Sequence, residues 1–147
     1  MKKLESLIGS APSAGKVAYL GPLFGSKRVA AFQGCDVFVC PSHTENFGVV
    51  VGEALACGKP VIATQSVPWP ELQEYDCGWW VPDTHADLKE ALLAAVQTSD
   101  QQLTDMGERG RKLIEAKFLW PSVARQMAET YTWLLGAGQR PAWVDVA

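Results

Sequence analysis

Two carboxylates stand out by their setting: Glu45 and Glu53, with seven residues between them, in the segment Pro41-Ser42-His43-Thr44-Glu45-Asn46-Phe47-Gly48-Val49-Val50-Val51-Gly52-Glu53-Ala54-Leu55-Ala56-Cys57-Gly58. Glu53 is the sole charge in a stretch otherwise made of Val, Gly, Ala, Leu and Cys. A helix that is apolar all round reads as buried, and a buried carboxylate is costly unless it is paired or hydrogen-bonded. Helical side chains lean toward the N-terminus, so Glu53, about one turn in, leans toward the start of its helix. There it can accept hydrogen bonds from two vicinal hydroxyls, such as a ribose presents. Glu45, in the preceding loop, would meet the other end of the same ligand. A structural role is the alternative, because acidic residues near a helix start gain about 0.3–1 kcal/mol from the macrodipole.

These residues need a scaffold, and the rest of the chain supplies one. Residues 1–15 read as a short helix and a loop. Lys16 to Leu20 reads as a short strand closed by Gly21-Pro22. Ser26 to Gln33 suits a helix with Val29, Ala30 and Phe32 on its apolar side. Asp36 to Cys40 is an apolar run ended by Pro41, as in a strand buried on both faces of a parallel sheet. The helix carrying Glu53 runs from Phe47 or Gly48 to Cys57 and stops at Gly58. Pro60 to Thr64 and Gly78 to Val81 are further strands. Trp79 and Trp80, adjacent on a strand, face opposite sides. Thr84 with Asp87 three residues on reads as a helix cap, and Leu88, Leu92 and Ala95 line the buried face that follows. Helices over about 101–117 and 121–135 precede glycines at 136 and 138 and an extended tail. Strands alternating with helices predict an α/β fold, a Rossmann-like parallel sheet with flanking helices. The expected division is a partial Rossmann-like domain over 1–136 and a tail over 137–147. In such sheets ligands bind outside the carboxyl ends of the strands, and the helix N-terminus there offers free N–H groups to phosphate.

Composition narrows the function. The chain has 147 residues, 48% of them apolar, and a net charge of −3. No stretch gathers Lys or Arg on one face, so a nucleic-acid partner is not expected. The longest apolar runs are too short to span a bilayer, and no secretory leader is evident. The four cysteines, Cys35, Cys40, Cys57 and Cys77, form no CxxC pair, and His43 and His85 stand at no metal-ligand spacing from them. They read as small buried hydrophobes in a reducing compartment.

The frame Pro-Ser-x-x-Glu-x-Phe-Gly…Glu-Ala-Leu-Ala-x-Gly-x-Pro-Val-Ile around Glu45 and Glu53 resembles the signature of the family 4 glycosyltransferases, retaining enzymes of the GT-B fold. The likeness extends over roughly residues 15 to 135. It includes Val17 to Gly21, Asp36 to Ser42, Pro60 to Thr64, Glu71, Gly78 and Phe118-Leu119-Trp120. The resemblance implies the donor-binding C-terminal half of a transferase that moves a sugar from a nucleoside-diphosphate sugar to an acceptor. It implies that Glu45 is the catalytic residue nearest the reacting carbon and holds sugar hydroxyls. Asn46, Phe47 and Gly48 would present amides to the sugar and distal phosphate, and Val49 and Val50 would serve the diphosphate. Glu53 would bind the ribose, and Leu20 and Gly21 would flank the base. No metal or other cofactor is expected, since the helix end and cationic side chains neutralise the leaving group. His43 is a candidate base that a retaining mechanism does not require. The expected setting is cytoplasmic, peripheral to the inner face of a membrane, with the sugar or lipid-linked acceptor held by an N-terminal domain.

Two features depart from the family pattern. The Arg and Lys that clamp the diphosphate have no counterpart here, which points to an N-terminally truncated domain that is inactive alone. The glycine-rich turn after Thr64 is replaced by Ser66-Val67-Pro68-Trp69-Pro70, which either alters donor-sugar or acceptor contacts or only repacks the loop. The lost strands lead to the expectation that the Lys16 and Asp36 strands pair directly, or that strand edges pair between two molecules. A module that holds nucleotide-sugar without turnover is the alternative function. A GT-B-like epimerase would carry a different pattern around the two glutamates.

Overall fold

Short apolar runs bounded by Gly and Pro set the strands of one parallel sheet: β1 (Phe38–Cys40), β2 (Val61–Thr64) and β3 (Gly78–Val81), in the order β1-β2-β3. The computed structural model describes residues 16–145, and the helix expected within residues 1–15 lies outside them. The chain divides between Ala31 and Phe32 into two compact units. β2 is central and wholly buried, as expected of a strand covered on both faces. Its residues alternate between two clusters. Val61 and Ala63 pack with Val51, Leu55, Val67, Trp69, Leu72 and Leu113. Ile62 packs with Ala91 and Ala95 on the other side. The adjacent tryptophans of β3 divide in the same way, Trp80 against the first cluster and Trp79 against the second.

The helices are α1 (Ser26–Gly34), α2 (Val49–Ala56), α3 (Glu71–Glu74), α4 (His85–Gln97), α5 (Asp100–Leu113) and α6 (Trp120–Leu134). A π-helical turn, Ile114–Phe118, extends α5. α2 ends in a Schellman motif: Gly58 N–H donates to Leu55 O (2.8 Å) and Lys59 N–H to Ala54 O (3.0 Å), with Gly58 at φ 71. α4 is capped as expected, Asp87 N–H donating to Thr84 Oγ1 at 3.2 Å. α5 begins with a full capping box between Ser99 and Gln102.

Several expectations are corrected. Residues 16–20 form no strand and are exposed, so the fourth strand and its pairing with the Asp36 run drop out. Apolar composition alone does not make a strand, which needs a partner's backbone groups. β1 begins only at Phe38, because Asp36 is exposed and lies in a bend with Val37. On α1 only Phe32 is buried, edge-on to Phe38 at 5.3 Å, whereas Val29 and Ala30 are exposed. On α4 the buried face is Ala91 and Ala95. Leu92 is exposed and lines a groove with Val37, Val39 and Val96. The tail is not extended: Ala137 N–H donates to Thr132 O at 3.0 Å, and Trp143 Nε1–H reaches back to Thr130 Oγ1 at 3.2 Å.

Candidate functional site

The loop from Pro41 to Gly48 connects the carboxyl end of β1 to α2, and its base is anchored on β2. The buried Thr64 hydroxyl donates to the Ser42 carbonyl, and Ser42 Oγ lies 3.5 Å from Glu45 Oε1. Further along, Thr44 Oγ1 donates to His43 O at 2.8 Å. His43 Nδ1 pairs with Asp83 Oδ2 at 2.7 Å, and Ser66 Oγ donates to the same oxygen at 3.4 Å. Glu45 and Asn46 are exposed. The loop therefore presents its polar side chains outward while its backbone is tied to the sheet.

Gly48 ends the loop and opens α2. It is buried, adopts φ 71 and ψ 51, and gives the helix no side-chain cap. Among the described residues no backbone acceptor takes the N–H groups of Gly48, Val49 or Val50. Uncapped first-turn N–H groups are the parts of a helix that water or an anion satisfies. Val49 is 64% exposed, so this end of α2 is open to solvent. The expectation of a helix buried all round is corrected here: Val51, Ala54 and Leu55 are buried, but Val49 and Ala56 are exposed and Glu53 is half-buried. Residues four apart share a helical face, which puts Glu53 one turn behind Val49 on the open side. That arrangement places a carboxylate and several amides that no backbone acceptor among the described residues takes at the carboxyl edge of the sheet, groups of the kind that suit hydroxyls and an anion respectively.

Beneath this loop lies an aromatic cluster that sequence reasoning missed. Trp69 is 1% exposed and donates its Nε1–H to Phe47 O at 2.6 Å. Its ring lies 5.3 Å from Phe47 and 5.0 Å from Phe118, centroid to centroid. The only signal in the sequence was a tryptophan between two prolines where a glycine-rich turn was expected. Leu20 and Gly21, expected beside a base, belong to the first unit; Leu20 is 67% exposed and Gly21 adopts φ 68. Among the described residues no group of three or more His, Cys, Asp or Glu is gathered as a metal site.

The family described as "Glycosyl transferases group 1" matches residues 1–113. The chain is 32% identical over 126 residues to D-inositol 3-phosphate glycosyltransferase of Corynebacterium jeikeium, covering 84% of this chain and 30% of that one. It is 30% identical over 128 residues to phosphatidyl-myo-inositol mannosyltransferase of Mycolicibacterium smegmatis, covering 85% and 33%. Its structure is similar to sucrose-phosphate synthase from Thermosynechococcus elongatus, with TM-score 0.76 and 28% identity, over 93% of this chain and 35% of that one. The chain thus spans about a third of the length of these relatives.

Proposed function

Because the chain belongs to the group 1 glycosyl transferases and has the α/β arrangement of a GT-B glycosyltransferase, we propose that it binds the donor, a nucleoside-diphosphate sugar, in a retaining sugar transfer. The open start of α2 carries the reading: amides of Gly48, Val49 and Val50 that no backbone acceptor among the described residues takes stand about one turn ahead of Glu53, at the carboxyl edge of a parallel sheet. The amides receive the diphosphate, where a helix end favours negative charge. Glu53 accepts hydrogen bonds from the ribose. Glu45, exposed at the tip of the loop, takes the hydroxyls of the transferred sugar beside the reacting carbon, with Asn46 and Phe47 adding backbone donors. Attack and departure then occur on one face of the sugar, without a metal ion, and the acceptor, a sugar or a lipid-linked one, is held by another part of the complete enzyme. The reaction belongs on the cytoplasmic side.

Calorimetric titration of the chain with UDP, GDP and ADP, without added metal, tests this reading. One nucleotide binds saturably, and Glu53→Ala weakens it by about 1–3 kcal/mol, the scale of a lost charged hydrogen bond. Absence of binding at millimolar nucleotide, or an undiminished affinity in Glu53→Ala, sinks the assignment.

A further inference from the structure

We propose that Trp69 is a positioning residue of the donor site: its indole fixes the Phe47–Gly48 peptide so that the Gly48 N–H is aimed outward at the donor's diphosphate. This rests on the donor-site reading above, and it adds a residue that touches no ligand. The first observation is the hydrogen bond from Trp69 Nε1–H to Phe47 O at 2.6 Å. The Phe47 carbonyl and the Gly48 N–H belong to one peptide group. Among the described residues no peptide bond is cis, and in a planar trans peptide the C=O and N–H point in opposite directions. Holding the carbonyl toward the buried indole therefore turns the Gly48 N–H away from it.

The second observation is the tightness of the seat. A Cβ on Gly48 would lie 2.7 Å from Val67 Cγ1 and 3.5 Å from Trp69 Nε1, and one on Gly52 would lie 3.3 Å from Trp69 Cη2. The indole thus lies close to Gly48, the N-cap of α2, and to Gly52 one turn on, where only glycines leave it room.

The third observation is that the indole itself is held. Pro68 and Pro70 restrict the backbone on either side, and Trp69 N–H donates to Val67 O at 2.8 Å. The same Val67 carbonyl accepts Trp80 Nε1–H at 2.8 Å, and Phe118 closes the ring's other side. Donation into a carbonyl also polarises the amide that follows it, so the Gly48 N–H becomes a better donor to an anion.

The test uses the whole chain with two replacements. Trp69→Phe removes the N–H and part of the ring. Replacing Trp69 with 3-benzothienylalanine keeps the bicyclic shape and puts sulfur where the N–H was, so it decides the matter if Trp69→Phe fails to fold. Affinities for UDP, GDP and ADP are compared with those for the matching monophosphates, and the Gly48 amide resonance is followed in the free chain. The expected result is a roughly three- to tenfold loss of diphosphate affinity, the scale of one hydrogen bond, with monophosphate affinity unchanged and the Gly48 nitrogen resonance displaced. Equal losses for both nucleotides, no loss for either, or an unmoved Gly48 resonance overturns the role of Trp69 and leaves the donor site standing. If the unmodified chain binds no nucleotide, the donor reading falls, and this role falls with it.

Discussion

Gly48 and Gly58 form a matched pair of substitutions, because both adopt φ 71 but only Gly48 is enclosed. At Gly58 a Cβ would meet nothing within 4 Å, so Gly58→Ala incurs only the left-handed conformation, about 1–2 kcal/mol for a residue with a side chain. Gly48→Ala incurs the same conformational cost and in addition sets a methyl 2.7 Å from Val67 Cγ1, where an ordinary contact is 3.4 Å or more. Val67 is fully buried and its N–H is bonded to Thr64 O, so it cannot simply step aside. Overpacking of this kind adds about 1–3 kcal/mol, and the total for Gly48→Ala is about 2–5 kcal/mol. Urea unfolding read by tryptophan fluorescence measures both variants against the unmodified chain. With a slope of about 1–3 kcal/mol per molar urea, Gly48→Ala unfolds at clearly lower urea than Gly58→Ala. Coincident transitions for the two variants would refute the reasoning, since they would mean that the αL backbone and not the seat on Val67 sets the cost. Nucleotide affinity supplies a second comparison: on the proposed donor role of the Gly48 amide it falls in Gly48→Ala and stays unchanged in Gly58→Ala at the far end of α2.

Two further expectations concern the scaffold. Gly107→Ala would place a Cβ 1.9 Å from the Gly58 carbonyl oxygen, a backbone atom, so it lowers stability by about 2 kcal/mol, the upper end of an overpacking cost after Ala's helix preference of roughly 1 kcal/mol is credited; a raised melting temperature would contradict this. Burial pushes the Cys77 thiol up to about 11 from an ordinary 9.0, against the opposing pull of Arg109. Below pH 9 folded and unfolded chains both keep that proton, whereas between pH 9 and 11 only the folded chain does. Stability therefore declines as pH rises through this window, by roughly 3 kcal/mol in full. Cys77→Ala removes that share of the decline, and identical alkaline melting profiles for the two chains would exclude the group.

How much of this was legible in the sequence depended on whether the determining contacts were local. The Gly58 stop of α2, the Thr84 cap and the β3 strand were all readable, because each is set by residues within a few positions of one another. The alternation of Trp79 and Trp80 between two packed faces follows from strand geometry alone. The failures fall where a partner distant in sequence decides. Val17 to Leu20 has strand-like composition but forms no strand, and Leu92 is exposed because α4 turns Ala91 and Ala95, with Leu88, toward Ile62 of β2. The loop that carries Glu45, Asn46 and Gly48 was readable between a strand and a helix. The openness of α2 at Val49 was not, since an apolar helix reads as buried.

The Pro68-Trp69-Pro70 segment was the departure whose effect the sequence left open, and the structure weighs on the side of repacking. A glycine-rich turn reaches its shape through backbone freedom, which leaves the conformation to be selected when a ligand arrives. Here Trp69 is enclosed beneath Phe47 and Gly48 and bonded to the Phe47 carbonyl, so the loop above it is held before any ligand arrives. Ordering that precedes binding does not have to be supplied by the binding free energy. The same reasoning explains the use of tryptophan and not a smaller apolar residue: Leu or Ile in its place could fill the space against Phe118 and Gly52, but neither carries an N–H to turn the Phe47–Gly48 peptide. Loss of the glycines' flexibility is thus only part of the description, because the prolines and the indole together transfer rigidity from the β2–α3 loop to the start of α2.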